Sequence, residues 1–281
     1  MARGVLKWDD FGLILDRLAP IASQIRVVVL YHGGEPLLNK NFARMVVAVK
    51  SLGIPFVKTV TNGMLLDDRR CVELIESGLD ALEVSLDGDS AEMNNAVRRN
   101  SDFQMIVDGI HRLISHRRSR GLKHPQVHVS TTRFLDPSGP AELPATPSPH
   151  LLHAFENIED ELEGYKATYA MRWPYMHVDP DTYDVFIADE RASGTCDYVE
   201  ETMTIRWNGD IVACCYDLTS KLVMGNIREN TIEEIWHGEE YKTLRENLNS
   251  GRYPDPCSNC NAIRSPAYLI PKANQLSIEA A

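Results

Sequence analysis

Residues 25–38 read IRVVVLYHGGEPLL, and this stretch decides the fold class. Its first half is a short, almost continuous apolar run rich in β-branched residues, which is typical of a strand buried on both faces. The two glycines and the proline that follow mark the end of the strand and the start of a loop. A strand of this kind, ending in a glycine-rich loop, favours a parallel α/β arrangement.

On both sides of this stretch, strand and helix patterns alternate. Further strands are predicted at 55–60, 81–86 and 126–132, and helices at 6–19, 41–51, 66–77 and 102–115. Near-continuous apolar strands separated by helices of this length indicate parallel βα units with right-handed crossovers. The predicted fold class is therefore α/β, a partial parallel (βα) barrel. Because the chain opens on a helix, we expect this barrel to lack its first strand.

The second half begins with LDPSGPAELPATPSP at 135–149, whose composition favours a linker. Beyond it we expect a helix at 151–163, and Asn208-Gly209 between two β-rich runs predicts a hairpin with a two-residue turn. Thr231 and Glu234 have the spacing of a capping box and predict a helix start. The predicted domains are the partial barrel (1–150), a connecting segment (151–190) and a small α+β cysteine-rich domain (191–281).

Composition excludes few function classes but narrows the choice. Hydrophobic residues make up 43% and charged residues 25% of the 281, as in an ordinary globular protein. A formal net charge of −11 argues against nucleic acid as a partner, because phosphate binding requires clustered Lys and Arg. There is no apolar run of about 18 residues and no apolar leader segment near residue 1. We therefore expect a cytoplasmic protein without a membrane partner.

The cysteines predict a metal centre. Five of the six lie after residue 195, and the last two form a Cys-x-x-Cys pair. A chain of this size needs no disulfide framework, so this clustering favours metal ligation. The four candidate ligands, which would come from three separate elements, are Cys196, Cys214, Cys257 and Cys260. Spacing alone leaves zinc and an iron–sulfur cluster both open.

The two remaining cysteines have different interpretations. Cys215 adjoins Cys214, and neighbours on a strand point to opposite faces, so we expect only one of the two to be a ligand. Cys71 lies in the predicted helix at 66–77 and reads as a buried apolar thiol.

Several motifs follow the predicted strands in order. They are His32 to Leu38 (HGGEPLL), Thr61-Asn62-Gly63 and Ser85-Leu86-Asp87-Gly88. Each lies at a strand's C-terminal end, where barrel enzymes collect their ligands. This set resembles the radical S-adenosylmethionine (radical SAM) superfamily. The cysteines, together with Gly225-Asn226-Ile227 and Ile235-Trp236, resemble the SPASM extension of those enzymes.

The resemblance implies two cofactors. Gly33, Gly34 and Glu35 would hold the methionine amino end of S-adenosylmethionine, Ser85 and Arg98 would contact its ribose and carboxylate, and Asn62 would line the same pocket. The four cysteines would hold one auxiliary [4Fe-4S] cluster, since no cysteine follows Cys260 to supply a second. Full ligation by protein would leave this cluster a role in electron transfer or structural support.

One element of the family pattern is missing. Radical SAM enzymes bind their catalytic cluster through Cys-x3-Cys-x2-Cys after the first barrel strand, and no such triad occurs here. We therefore expect the chain as given to be unable to make the 5′-deoxyadenosyl radical. A gene start assigned too late, a deliberately shortened chain and a degenerate paralogue would each explain this. We favour the first, because the strand and the triad are missing as one contiguous piece.

The resemblance predicts an activity for the intact protein. It would cleave S-adenosylmethionine reductively and abstract hydrogen from a peptide or small-molecule substrate, with flavodoxin or ferredoxin as electron donor. The alternatives are a non-catalytic partner protein that keeps the cofactor pocket or the iron–sulfur cluster, and a zinc-stabilised interaction domain.

Overall fold

The computed structural model describes residues 4–88, 90–98, 100–135, 147–188 and 195–272. They form two compact units. The sheet unit comprises residues 21–133 and 147–169, and the cysteine unit comprises 4–20, 134–135, 170–188 and 195–272. Most of the predicted linker at 135–149 lies outside the described residues. The predicted domain limits at 150 and 190 stay a prediction.

Helices and strands are numbered along the whole chain. The helices are α1 (Trp8–Leu18), α2 (Phe42–Ser51), α3 (Asp68–Glu76), α4 (Ala91–Val97), α5 (Phe103–Ser119), α6 (Pro149–Ala154), α7 (Asp197–Glu201), α8 (Ile232–Trp236) and α9 (Glu239–Asn249). The strands are β1 (Val27–Val29), β2 (Phe56–Thr61), β3 (Ala81–Ser85), β4 (Gln126–Arg133), β5 (Leu162–Tyr169), β6 (Tyr183–Ile187), β7 (Thr204–Ile205), β8 (Asp210–Val212), β9 (Val223–Asn226) and β10 (Ala267–Pro271).

The sheet unit is built on five parallel strands in the order β1-β2-β3-β4-β5. The predicted α/β class with a parallel sheet is confirmed. Among the described residues β1 forms one edge, which leaves Val27 and Val29 almost half exposed. The inner strands are buried, with Val57, Leu82 and Val127 fully inaccessible to solvent. The sheet therefore holds all its C-terminal strand ends along one edge.

The helices of this unit begin where the sequence supplies caps. The Asp67 carboxylate accepts a hydrogen bond from the Arg70 N–H at the start of α3, and Asp102 does the same for Met105 at the start of α5. Helices α2, α3 and α5 bury apolar side chains such as Val49, Leu74, Ile106, Ile110 and Leu113. The caps fix the residue at which each helix starts, and the buried apolar side chains hold the helix in place. Together they fix the loops that join strands to helices.

The prediction for residues 151–163 was wrong. The helix there ends at Ala154, and β5 begins at Leu162 as a fifth parallel strand. Gly164, interpreted from sequence as a helix end, lies inside β5, opposite His128 of β4. A Cβ at this glycine would approach the His128 ring to 3.2 Å, so the close approach of the two strands requires a small residue.

The cysteine unit contains a small antiparallel sheet, β7-β8-β9, and the antiparallel pair β6–β10. Helix α1 belongs to this unit, where Asp10 pairs with Arg228 at 2.6 Å and the Arg17 side chain donates to the Ile227 carbonyl at 3.1 Å. Apolar side chains of β8 and α9, among them Ile211, Leu244 and Leu248, form its core.

Two local predictions in this unit need correction. The hairpin at Asn208-Gly209 is confirmed, but its turn is longer than predicted: Arg206 opposes Asp210, and Gly209 alone is left-handed, with φ of 89°. The capping box of Thr231 and Glu234 is confirmed. From sequence, one continuous helix was expected from Thr231 to Gly251, but the structure divides it at Gly238 into α8 and α9.

None of the helices in the described ranges combines the length and the apolar content needed to cross a membrane.

Candidate functional site

The predicted cofactor residues of the sheet unit lie at the C-terminal ends of its strands. Gly33, Gly34 and Glu35 follow β1, Asn62 follows β2, and Ser85 ends β3. The register pairs Thr61 with Val84, so Asn62 and Ser85 stand side by side on adjacent strands. The parallel sheet thus brings together residues separated by up to about 50 positions in sequence. We call this row the strand-end site.

Three glycines give the strand-end site its backbone shape. Gly33 is left-handed with φ of 65°, and no atom lies within 4 Å of the place a Cβ would occupy on Gly34. A side chain at Gly34 would therefore fill open space beside the loop. Gly63 has φ of 76°, and a Cβ there would come within 3 Å of Ile106 and Val84. Only glycine fits this second turn.

The Glu35 carboxylate is bonded within the protein. One oxygen accepts hydrogen bonds from the Leu37 N–H at 3.0 Å and the Thr61 hydroxyl at 2.8 Å, and the other accepts from the Asn62 N–H at 2.8 Å. By the family resemblance, the segment that contains Glu35 was expected to hold the methionine amino end of S-adenosylmethionine, and this stays a prediction. The structure shows the carboxylate linking the ends of β1 and β2.

Arg98 is likewise engaged inside the protein. Its Nε donates to the Asp87 carboxylate at 2.6 Å, and the second oxygen of Asp87 accepts from the Thr132 N–H at 2.9 Å. Asp87 is only 6% exposed. Asp87 was not among the predicted site residues, although it is part of the quoted Ser85–Gly88 motif. The available signal was an acidic residue two positions after the end of β3.

Two polar groups of the strand-end site stay available to a ligand. The Asn62 side-chain oxygen accepts from the Met64 N–H at 2.9 Å, but within the described ranges its amide nitrogen has no hydrogen bond. The same holds for the Ser85 hydroxyl. Both side chains are half-buried. The site thus offers one amide donor and one hydroxyl beside an open glycine backbone.

The four predicted ligand cysteines all lie in loops of the cysteine unit, and their role as ligands stays a prediction. Cys196 precedes α7, Cys214 follows β8, and Cys257 and Cys260 flank a single helical turn. All four are free thiols, and Cys196 and Cys260 are buried. Cys214 lies two residues beyond the end of β8, not inside the strand as predicted, because the chain bends after Val212. Loops, not strands, therefore carry the candidate ligands.

The charges of two of these cysteines act on the pKa values of the others. The charge of Cys260 raises the pKa of both Cys214 and Cys257, and the charge of Cys196 raises that of Cys257 and Cys260. Burial is the larger cause and brings the pKa of Cys214 and Cys257 to about 12. Neutral thiols in this pocket must lose protons when they become ligands, so cluster binding is coupled to proton release.

Backbone N–H groups beside two of the cysteines test whether the donor set suits a cluster. Hydrogen bonding by the backbone of Tyr216 and Asp217 lowers the pKa of Cys214, and that of Ala262 and Ile263 lowers the pKa of Cys260. Hydrogen bonds of this kind stabilise thiolates and are among the features that set cluster potentials. The residues present therefore fit a thiolate-bound iron–sulfur cluster.

The other two cysteines differ in position. Cys71 is fully buried on α3 in the sheet unit, and burial raises its pKa to about 12. Cys215 is exposed, but the charges of Cys196 and Cys260 both raise its pKa, so its thiol lies near the candidate ligands. In the part of the chain that the structure describes, no three His, Cys, Asp or Glu side chains are already arranged as ligands of one metal ion.

Asp217, which was not among the predicted site residues, shapes the loop after Cys214. It is 1% exposed, and its carboxylate accepts from the Lys221 N–H at 3.1 Å and the Leu222 N–H at 2.8 Å. Its charge raises the pKa of Cys257. An Asp carboxylate that accepts hydrogen bonds from the N–H groups four and five residues later closes a compact loop. Here that loop follows Cys214 directly.

The parallel sheet with polar groups at its strand ends and the cysteine-rich unit define an α/β protein with a cysteine-rich C-terminal part. Residues 2–124 match the sequence profile of the radical SAM superfamily, and residues 196–261 match that of the SPASM iron–sulfur cluster-binding domain. The chain therefore carries a radical SAM region followed by a C-terminal SPASM domain.

Relatives of known function span different amounts of the chain. A tungsten-containing aldehyde ferredoxin oxidoreductase cofactor-modifying protein of Pyrococcus furiosus is 23% identical over 90% of this chain and 79% of its own length. A GTP 3′,8-cyclase of Heliobacterium modesticaldum is 38% identical, but only over 38% of this chain and 32% of its own length.

Solved structures confirm the fold. The anSMEcpe structure with bound AdoMet and the Cp18Cys peptide gives a TM-score of 0.64 at 13% identity, covering 92% of this chain and 79% of that one. BtrN in complex with AdoMet and 2-DOIA gives 0.55 at 17% identity, covering 92% and 82%. At these identities the likeness concerns the fold alone.

Proposed function

We propose that this chain binds one auxiliary [4Fe-4S] cluster through Cys196, Cys214, Cys257 and Cys260, and S-adenosylmethionine at the strand-end site. The protein to which these residues belong would cleave S-adenosylmethionine reductively and abstract hydrogen from a peptide or a small molecule. A flavodoxin or ferredoxin would supply the electrons. A cluster ligated by four protein thiolates supplies one-electron transfer and structural support when bound.

One observation carries the cluster proposal: the four cysteines lie in three loops of the segment that matches the iron–sulfur cluster-binding domain, and the charges of Cys196 and Cys260 raise the pKa of neighbouring thiols. Each thiol raises the cost of ionising another, so the empty arrangement is electrostatically unfavourable once the thiols are ionised. Iron would remove this repulsion by neutralising the thiolates. Backbone donors at two of the sulfurs add to the stabilisation.

The strand-end site supports the proposal for S-adenosylmethionine. Asn62 and Ser85 offer hydrogen-bond donors on neighbouring strands, and Gly34 leaves open space beside them. Two relatives by fold, anSMEcpe and BtrN, have been solved with this ligand bound, one with a peptide and the other with a small molecule. We extend the ligand, and both substrate classes, to this chain as part of the proposal.

The 281 residues contain no Cys-x3-Cys-x2-Cys triad, so we propose binding by these residues without radical formation. Reductive cleavage requires an iron site with an open position next to the sulfonium, and four-thiolate ligation leaves none.

The experiment that tests the cluster is metal analysis of protein purified and reconstituted without oxygen. We expect about four irons and four sulfides per chain, as a [4Fe-4S] cluster requires, with brown absorbance. One zinc and no iron would contradict the proposal and make the cysteine site a structural clip.

Two substitutions locate the cluster. Cys257→Ala removes one of four thiolates, so iron and sulfide should be lost and the cysteine unit destabilised. Cys71→Ala removes a buried thiol of the sheet unit and should leave the metal content unchanged. Full iron content in Cys257→Ala would contradict the ligand assignment.

A further inference from the structure

Acidic residues at the strand-end site link neighbouring strand ends. Glu35, after β1, accepts from the N–H of Asn62, the first residue after β2, at 2.8 Å. Asp87, after β3, accepts from the Thr132 N–H near the end of β4 at 2.9 Å. In each pair a carboxylate on one strand end satisfies a backbone donor of the adjacent strand. This carboxylate-to-backbone hydrogen bond thus occurs twice along the same edge of the sheet.

The Glu35 link extends into the turn that follows β2. Its first oxygen accepts from the hydroxyl of Thr61, which is 2% exposed, and that hydroxyl accepts in turn from the Gly63 N–H at 3.1 Å. Glu35 thus fixes the Thr61 hydroxyl so that its lone pairs face Gly63. Through these bonds one carboxylate holds the backbone on both sides of Asn62.

The Glu35 carboxylate has little capacity left for a ligand. A carboxylate offers about four acceptor positions, and three of them are used by Leu37, Thr61 and Asn62. The Asn62 side-chain nitrogen, in contrast, has no partner among the described residues. The available donor thus belongs to the residue that Glu35 holds in place.

We propose that Glu35 is a positioning residue that acts on S-adenosylmethionine through Asn62, and that it does not bind the ligand's ammonium group. This inference rests on the proposed function, because it concerns the same ligand. The link itself exists in the ligand-free protein and can be measured there. Asn62 and Ser85 are then the side chains that contact the ligand.

Hydrogen exchange of the ligand-free protein tests the link. Glu35→Gln replaces one acceptor oxygen by an amide donor, so either the Asn62 N–H loses its acceptor or the Leu37 N–H and the Thr61 hydroxyl both do. We expect exchange at Asn62 or at Leu37 to accelerate about threefold to tenfold, the equivalent of one hydrogen bond, while Gly63 keeps its bond to the Thr61 hydroxyl. Glu76→Gln, the same change at an exposed residue of α3, serves as the control. Unchanged exchange in Glu35→Gln would overturn the link.

A second variant covers the case in which Glu35→Gln fails to fold. Thr61→Val is nearly isosteric and removes only the hydroxyl that connects Glu35 to Gly63. Gly63 should then exchange faster, whereas Asn62 keeps its bond to Glu35 and its slow exchange. Equal acceleration at both amides, or at neither, would contradict the proposed chain of bonds.

Ligand binding separates positioning from direct contact. The probes are S-adenosylmethionine and its deamino analogue, which keeps the sulfonium and lacks the amino group. A positioning residue predicts that Glu35→Gln weakens both by the same factor, about threefold to tenfold. A contact with the ammonium group predicts a larger loss for S-adenosylmethionine, and this result would overturn the inference.

A failure of the proposed function can be distinguished from a failure of the positioning role of Glu35. If the unaltered chain binds neither probe, both the strand-end proposal and the role of Glu35 toward the ligand are wrong. Hydrogen exchange would still decide whether Glu35 links the strand ends. If the unaltered chain binds both probes, and Glu35→Gln binds both as tightly, only the positioning role is wrong.

Discussion

The strand-end site and the cysteine site differ in what holds them together. At the strand-end site, Glu35 and Asp87 satisfy backbone donors of neighbouring strands, so the arrangement is complete without a cofactor. At the cysteine site, loops carry buried and half-buried thiols, and the charges of Cys196 and Cys260 raise the pKa of neighbouring thiols. A site whose ligands repel one another when ionised depends on the metal that neutralises them. One site is therefore preorganised, and the other is completed by its occupant.

Removal of the cluster should produce the largest difference in stability between the two units, and it therefore tests the comparison most directly. After reconstitution and then anaerobic removal of iron by a chelator, we expect residues 196–261 to lose protection from hydrogen exchange. A loss of about 3 kcal/mol in local stability corresponds to about hundredfold faster exchange. Strands β2 to β4 should keep their protection, because hydrogen bonds and apolar burial hold them.

Equal deprotection of both units on iron removal would contradict the distinction. Unchanged exchange in residues 196–261 would mean that the cysteine unit is as preorganised as the sheet.

The strand pattern of the sheet unit could be predicted where burial dictates it. Strands β2, β3 and β4 are inner strands, so their residues must be apolar or hydrogen-bonded, and the sequence carries that signal. Strand β5 pairs with β4 on one side only and carries Glu163, Lys166 and Tyr165 among its residues. An edge strand needs no continuous apolar run, so its pattern did not reveal it.

The residues of the candidate site could be listed from sequence, but their roles could not all be assigned. The motif containing Glu35 marks the strand-end site correctly, yet the partners of its carboxylate lie up to 27 positions away, on β2 and just after it. Only the register of the two strands decides that contact. Similarly, the bend after Val212 that takes Cys214 out of β8 depends on tertiary packing, because the local residues favour a strand.

The adjacent residues Cys214 and Cys215 test which thiol of the cysteine site is a cluster ligand. Cys214 is half-buried, and backbone hydrogen bonding lowers its pKa, whereas Cys215 is exposed. We expect Cys214→Ala to lose the cluster and Cys215→Ala to keep it, with iron and sulfide measured after identical reconstitution. The two variants remove the same atom one residue apart, so each is the other's control. Iron loss in Cys215→Ala alone would move the ligand assignment to that residue.

The smallest expected effect concerns the preorganised site. Arg98 donates to Asp87, which is 6% exposed, whereas Arg69 pairs with Glu73 across one turn of α3 near the protein surface. Arg98→Met leaves a buried carboxylate without its cationic partner and should cost about 2 kcal/mol of unfolding free energy. Arg69→Met should cost about 0.5 kcal/mol or less, because an exposed pair contributes little.

Denaturant unfolding of the ligand-free protein measures both substitutions, and iron analysis checks the other unit. If the strand-end site is held by its own ion pairs and hydrogen bonds, Arg98→Met lowers stability without reducing iron content. A cost as small as that of Arg69→Met would mean that Arg98 is not needed to hold the site. Arg98 would then be free to serve as a ligand contact, and Ser85 and Asn62 would no longer be sufficient to define the pocket.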